Sequence, residues 1–113
     1  MFNRRQFIGS LAAGFTPALV SGAAPPRKKI ALLATEVYEH SHAQHFLDRF
    51  SMGYAMGGRW REPQVDLAAV YIDQFHSRDI GKERIAKYGL KRFPTVVETL
   101  TLGGSKLAVD GVV

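Results

Sequence analysis

Apolar residues fall in short blocks along the chain, and their spacing alternates between that of a buried strand and that of a one-sided helix. Ile30-Ala31-Leu32-Leu33-Ala34 is a continuous apolar run after Arg27-Lys28-Lys29, and such a run predicts a strand covered on both faces. Ser41 with Gln44 three positions on makes a capping box, after which Ala43, Phe46, Leu47, Phe50 and Tyr54 recur along one face. That spacing predicts a helix over 42–54 with Phe46, Leu47 and Phe50 in the core. Gly53, Gly57, Gly58 and Pro63 then break the pattern in a turn-rich stretch that holds the only tryptophan, Trp60, which is placed to cover a sheet edge or to meet a sugar. Val65 to Asp73 predicts a second buried strand.

Ser77 or Asp79 is suited to cap the next helix, which carries Ile80, Ile85 and Tyr88 and is ended by Gly89. Thr95 and Glu98 form another capping box directly after Pro94. The helix they open is expected to turn Val96, Val97 and Leu100 inward and to stop at Gly103-Gly104. Leu107 to Val113 predicts one further strand. Strands alternating with helices define an α/β chain, expected as a Rossmann-like three-layer sandwich with a mostly parallel sheet and right-handed crossovers. The last strand has no helix after it, so the domain is expected to be incomplete at its C-terminus, a fragment of a longer chain.

The first residues change the picture of where this domain works. Arg4 and Arg5 precede an uncharged run to about Ala23, with small residues at Ser21-Gly22-Ala23, the layout of a cleavable export signal. Gly9, Ser10, Gly14, Thr16 and Pro17 soften the run too far for a good membrane-spanning helix. Arg4-Arg5-Gln6-Phe7-Ile8 resembles the twin-arginine (Tat) signal of bacteria. The resemblance implies the Tat translocase as partner, export in the folded state to the periplasm or beyond, and often a cofactor loaded beforehand. The chain therefore divides into a signal peptide over 1–23, a linker over 24–28 and a domain over 29–113, with no transmembrane segment after cleavage.

Losing 1–23 removes Arg4 and Arg5 and no acid, so the net charge drops from +5 to +3. That excess is too small to argue for nucleic acid. With 0 cysteines there is neither a disulfide framework, a thiolate zinc site nor a cysteine nucleophile.

The strand Lys29-Ile30-Ala31-Leu32-Leu33, His42-Ala43 at the first helix start, Ala86-x-Tyr88-Gly89, Thr95-x-x-Glu98 and Val109-Asp110-Gly111-Val112 occur in that order over about 28–113. In this order they resemble the N-terminal dinucleotide-binding domain of the Gfo/Idh/MocA oxidoreductases. The resemblance implies NAD(P) as cofactor and hydride transfer on a sugar or polyol. It places the cofactor side of the domain at Ala34, Glu36, Glu39, His40, Ser41 and Asp73.

Ala34, Glu36 and Glu39 stand where the family has the glycines of G-x-G-x-x-G. Those glycines let the backbone approach the pyrophosphate at a helix N-terminus, and a carboxylate there opposes an anionic ligand. Asp73 stands at the strand end where the family's acid bonds a ribose hydroxyl, farther downstream than usual, with the Gly57–Pro63 stretch as the extra length. The family's catalytic lysine and its substrate domain would both fall beyond Val113, so no catalytic residue is assigned. The rival reading is an exported, cofactor-free binding module for a carbohydrate or another small ligand, formed around Glu36, His40, His42 and Asp73.

Glu36, Glu39, His40, His42 and His45 crowd into one short stretch. His42 and His45 lie one helical turn apart, a spacing open to a metal site with His40, or to solvated histidines at a helix start. Glu36 and Glu39 are also candidates for a general acid/base pair at the crevice beyond the strand ends.

Overall fold

The structure is a computed structural model that describes residues 25–113. Arg4, Arg5 and the rest of the expected signal segment lie outside the described residues. β1 (Lys28–Ala34) forms on the apolar run, and its consecutive residues Ala31 and Leu32 are both buried, 0% and 1% exposed. Successive strand side chains face opposite ways, so both faces of the strand are covered. α1 (His42–Met52) starts at Ser41, whose hydroxyl accepts from the Gln44 amide at 3.1 Å, and ends at Gly53. β4 (Val65–Ile72) pairs with β1 in parallel from Lys28↔Val65 to Ala34↔Ile72, with one extra residue of β4 bulged out beside Ile30 and Ala31. β5 (Gly111–Val112) pairs in parallel on the other side of β1. The result is a three-stranded parallel sheet of order β4-β1-β5.

α2 (Gly81–Tyr88) is capped by Asp79, whose carboxylate accepts from the amides of Gly81 at 3.0 Å and Lys82 at 3.1 Å. Gly89 ends it with φ 65°, the left-handed residue that a helix C-terminus favours. Beyond it the chain runs alongside β4: the Val70 amide donates to Lys91 O at 2.8 Å and the Phe93 amide to Val70 O at 3.1 Å. Leu32, Val37, Leu47, Val70 and Ile72 form the main core cluster, with Ile80, Ile85 and Tyr88 packed on it from α2 and the turn before it. Burying Leu47 completely stabilises the fold by roughly 1.5–3 kcal/mol relative to leaving it in water.

Between α1 and β4 the expected turn-rich stretch is a β-hairpin. β2 (Tyr54–Met56) pairs antiparallel with β3 (Arg59–Arg61) around Gly57 and Gly58, at φ 62° and 74°. Two successive positive φ values are what a type I′ hairpin turn demands, and Gly-Gly supplies them without strain. Trp60 sits on β3 and donates its indole N–H to Met52 O at 3.1 Å, closing the hairpin over the end of α1.

Three further expectations are corrected. Phe46 is 42% exposed and stacks on Phe50 at the flank of α1, leaving Leu47 as its fully buried residue. In α3 (Val96–Thr101), Val97 is 69% and Val96 38% exposed, and the buried residue is Thr99 at 0%. A helix of so few turns has one inward position, and Thr99 fills it because its hydroxyl donates to Thr95 O at 2.7 Å. Leu107 is 73% exposed and precedes the last strand instead of opening it, because the Ala108 amide is committed to Leu100 O at 2.9 Å. Pairing with β1 begins only at Asp110, whose amide donates to Lys29 O at 2.7 Å while its carboxylate accepts from the Lys29 amide at 2.8 Å. Among the described residues no helix is long and apolar enough to cross a membrane.

Candidate functional site

The parallel sheet brings the loops after β1 and β4 to one end of the molecule. In the loop 35–41, Ser41 is a double anchor: its amide donates to Tyr38 O at 2.9 Å and its hydroxyl accepts from the Tyr38 amide at 3.2 Å. His40 sits inside this turn at φ 68°, a backbone state that costs a non-glycine residue energy, and its amide donates to Gln44 Oε1 at 2.5 Å. Gln44 thus ties the loop to α1 from the helix side, completing the expected capping box one residue early.

The same loop is stitched to the connection between β4 and α2. Val37 is 0% exposed, and its carbonyl accepts from the Ile80 amide at 2.9 Å. Tyr38 and Asp79 form an antiparallel bridge. Glu36 accepts from Arg78 through both carboxylate oxygens, at 3.4 and 3.3 Å, and the Arg78 guanidinium lies 3.8 Å from the centre of the Tyr38 ring. The amides of Asp73 and Gln74 donate to Ala34 O and Thr35 O at 2.9 and 2.8 Å, extending the β1–β4 ladder into the loops. The approach is close enough that a Cβ on Gly81 would stand 3.2 Å from Val37 Cβ and 2.7 Å from Ile72 Cδ1.

A cleft of about 410 Å³ opens beside this seam, lined by Ala34, Thr35, Glu36, Tyr38, Ser41 and His42, with Phe46 and Val113 among its apolar walls. Its size is in the range of small-molecule sites. Of the expected positions, Ala34, Glu36, Ser41 and His42 meet here. Glu39 lines a different depression, of about 620 Å³, with Arg78, Glu83 and Arg84, so Glu36 and Glu39 do not face each other across one cleft. His40 is exposed on the turn. Asp73 lies exposed at the end of β4, where it accepts from the Tyr71 hydroxyl at 2.8 Å and from Gln74 Nε2 at 3.2 Å. The bond to Asp73 raises the Tyr71 pKa. His76 extends this chain to Gln74 Oε1 at 2.8 Å. Among the described residues no group of three or more His, Asp or Glu side chains is placed to hold a metal ion, so His40, His42 and His45 do not converge on one.

Sequence reasoning passed over Arg78, Tyr38 and Thr35. The ion pair Glu36–Arg78 joins residues 42 apart, a separation that helical or strand spacing does not reveal. It passed over Asp48 as well, which accepts from Gln44 Nε2 at 3.0 Å, Arg84 Nε at 3.0 Å and the Tyr88 hydroxyl at 2.9 Å. This network fastens α1 to α2 beneath the loops. Burial, then the bond to Asp48, pushes the Tyr88 phenol up to about 12.

Compared with known protein families, curated proteins and solved structures, the chain finds no match.

Proposed function

We propose that this is an exported, Rossmann-like domain related to the Gfo/Idh/MocA oxidoreductases that works without a dinucleotide, binding a small uncharged polyhydroxy ligand, a sugar or polyol, in the cleft over the end of β1. The observation that carries the proposal is the seam between the loops after β1 and β4. In a dinucleotide-binding domain the first loop leaves its backbone amides open to a pyrophosphate. Here the loop is folded back on Ser41 and fastened to Ile80, and Glu36 brings a carboxylate to the cleft. A carboxylate accepts readily from ligand hydroxyls, each oxygen keeping a lone pair beside its bond to Arg78. The first amides of α1, at His42 and Ala43, have no partner within the helix and are donors for the same ligand.

The relation to the oxidoreductases is supported by the strand order. β1 lies between β4 and β5, and the segment at Arg92 adds beyond β4, which matches the first half of a Rossmann sheet. The same order keeps a second reading alive, a domain of an NAD(P)-dependent sugar or polyol oxidoreductase whose phosphate loop has departed from the family pattern. Amide chemical shifts of the protein titrated with a panel of sugars and polyols separate the two. Saturable shifts at Thr35, Glu36, His42 and Ala43, lost in Glu36→Ala, support the binding module. A panel without effect, together with shifts on adding NAD(P), sinks it in favour of the oxidoreductase.

A further inference from the structure

The two ends of the parallel sheet differ in charge. The end bearing the cleft is nearly balanced, with Glu36, Glu39, Asp73, Asp79 and Glu83 against Arg78, Lys82, Arg84 and Arg92. Arg27, Lys28 and Lys29 stand at the other end, where β1 begins; Arg49 is in the last turn of α1, Lys87 in the last turn of α2, and Arg59 and Arg61 are on β3. Among the described residues Glu62, Asp66 and Asp110 oppose them there, with Asp66 paired to Arg27 at 2.6 Å. One shallow depression lined by Arg27, Phe50, Glu62, Pro63, Val65 and Tyr88 shows that the start of β1, the foot of the hairpin and the ends of both helices lie side by side.

This basic end also carries the exposed apolar side chains of the hairpin. Met56 is 59% exposed, Trp60 51%, Met52 44% and Tyr54 38%. Cross-strand partners share a face, so Tyr54↔Arg61 and Met56↔Arg59 set each arginine directly across from a tyrosine or a methionine on one face of the ribbon, with Trp60 and Ala55 on the other. Trp60 presents an apolar ring whose N–H is already satisfied by Met52 O, the condition under which an indole can rest at an interface between water and hydrocarbon.

From this placement we infer that the end of the domain formed by Arg27–Lys29, Arg49 and the β2–β3 hairpin docks on an anionic lipid bilayer, with the cleft held away from the surface. The occupant is chosen by charge together with the exposed apolar side chains beside it. Basic side chains are drawn to the negative leaflet, and Tyr and Trp settle at headgroup depth. The opposite end has no such excess of cations, so the contact has one orientation. The inference is independent of what the cleft binds.

The only tryptophan is the probe. Full-length protein is mixed at low salt with vesicles of phosphatidylcholine alone or containing phosphatidylglycerol, and Trp60 emission and its quenching by brominated acyl chains are recorded. A blue shift and quenching with the anionic vesicles only, both reversed by salt, are expected. Replacing Arg59 and Arg61 together by Gln should weaken partitioning about thirtyfold, with the circular dichroism of the fold unchanged. Emission that ignores anionic vesicles, partitioning equal for the double variant and the parent, or a stronger response to a short DNA duplex than to the vesicles would each overturn the inference. The salt dependence of the unmodified protein decides the matter even if the variant fails to fold.

Discussion

Gly81→Ala probes the seam between the two loops with a single carbon. The new Cβ would stand 2.7 Å from Ile72 Cδ1, 3.0 Å from Asp79 Oδ1 and 3.2 Å from Val37 Cβ, where carbon atoms prefer about 3.5–4.0 Å. Ile72 is 2% exposed and belongs to the core cluster, so its methyl has little room to turn away. Val37 Cβ is joined directly to a backbone whose carbonyl holds the Ile80 amide. The Asp79 carboxylate is held in place by the amides of Gly81 and Lys82. Overpacking of this kind costs about 1–3 kcal/mol, and the gain from replacing glycine by alanine in a helix offsets at most about 1 kcal/mol of it. A net loss of about 1–2 kcal/mol is therefore expected, read as a lower urea midpoint at unchanged slope. In a domain of this size that corresponds to a melting temperature lower by roughly 5–15 °C. A midpoint equal to or above that of the parent would refute the close approach of Val37 to the start of α2.

Three further outcomes are expected. The folded Tyr88 phenol gives up its proton only at about 12, against an ordinary value of 10.0, so the native state binds that proton more tightly than the unfolded chain. Its contribution to stability is complete below pH 10 and drains away as the pH rises toward 12; urea midpoints across this window should fall for the parent and fall less for Tyr88→Phe. Arg78→Ala removes an ion pair whose arginine is 59% exposed, so its cost should stay below about 1 kcal/mol, with amide exchange at Ile80 nearly unchanged because the Val37–Ile80 bond remains. If Arg4 and Arg5 form a twin-arginine signal, changing both to Lys should leave the protein in the cytoplasmic fraction of a bacterial host, as should deleting that host's Tat translocase; undiminished export in either case would dismiss the signal.

The elements with local punctuation were legible in the sequence. Ser41 and Gln44, Asp79, Gly89, and Thr95 with Glu98 each act within a few residues of themselves, and each marks a helix end in the structure. The hairpin carried a local signal too, Gly57-Gly58 between short Tyr- and Trp-bearing segments, but it was overshadowed by the flanking Gly53 and Pro63. What stayed hidden was set by packing at a distance. The outward turn of Val97 depends on which side of a short helix meets β1 and β4. The late start of the last strand depends on Leu100 holding the Ala108 amide. The site was legible in part: Ala34, Glu36, Ser41 and His42 converge because they follow one strand, whereas Arg78 and Tyr38 become neighbours only through the parallel pairing of β1 with β4.

We propose that the loop after β1, fastened by Ser41, Ile80 and Arg78, does not cradle a pyrophosphate. Titration of the protein with NAD and NADP, followed by amide chemical shifts over residues 34–43 and by calorimetry, tests it most directly. No saturable shift in this loop and no binding heat are expected for either dinucleotide. Saturable shifts centred on Glu36, Ser41 and Asp73 with a measurable heat would contradict it.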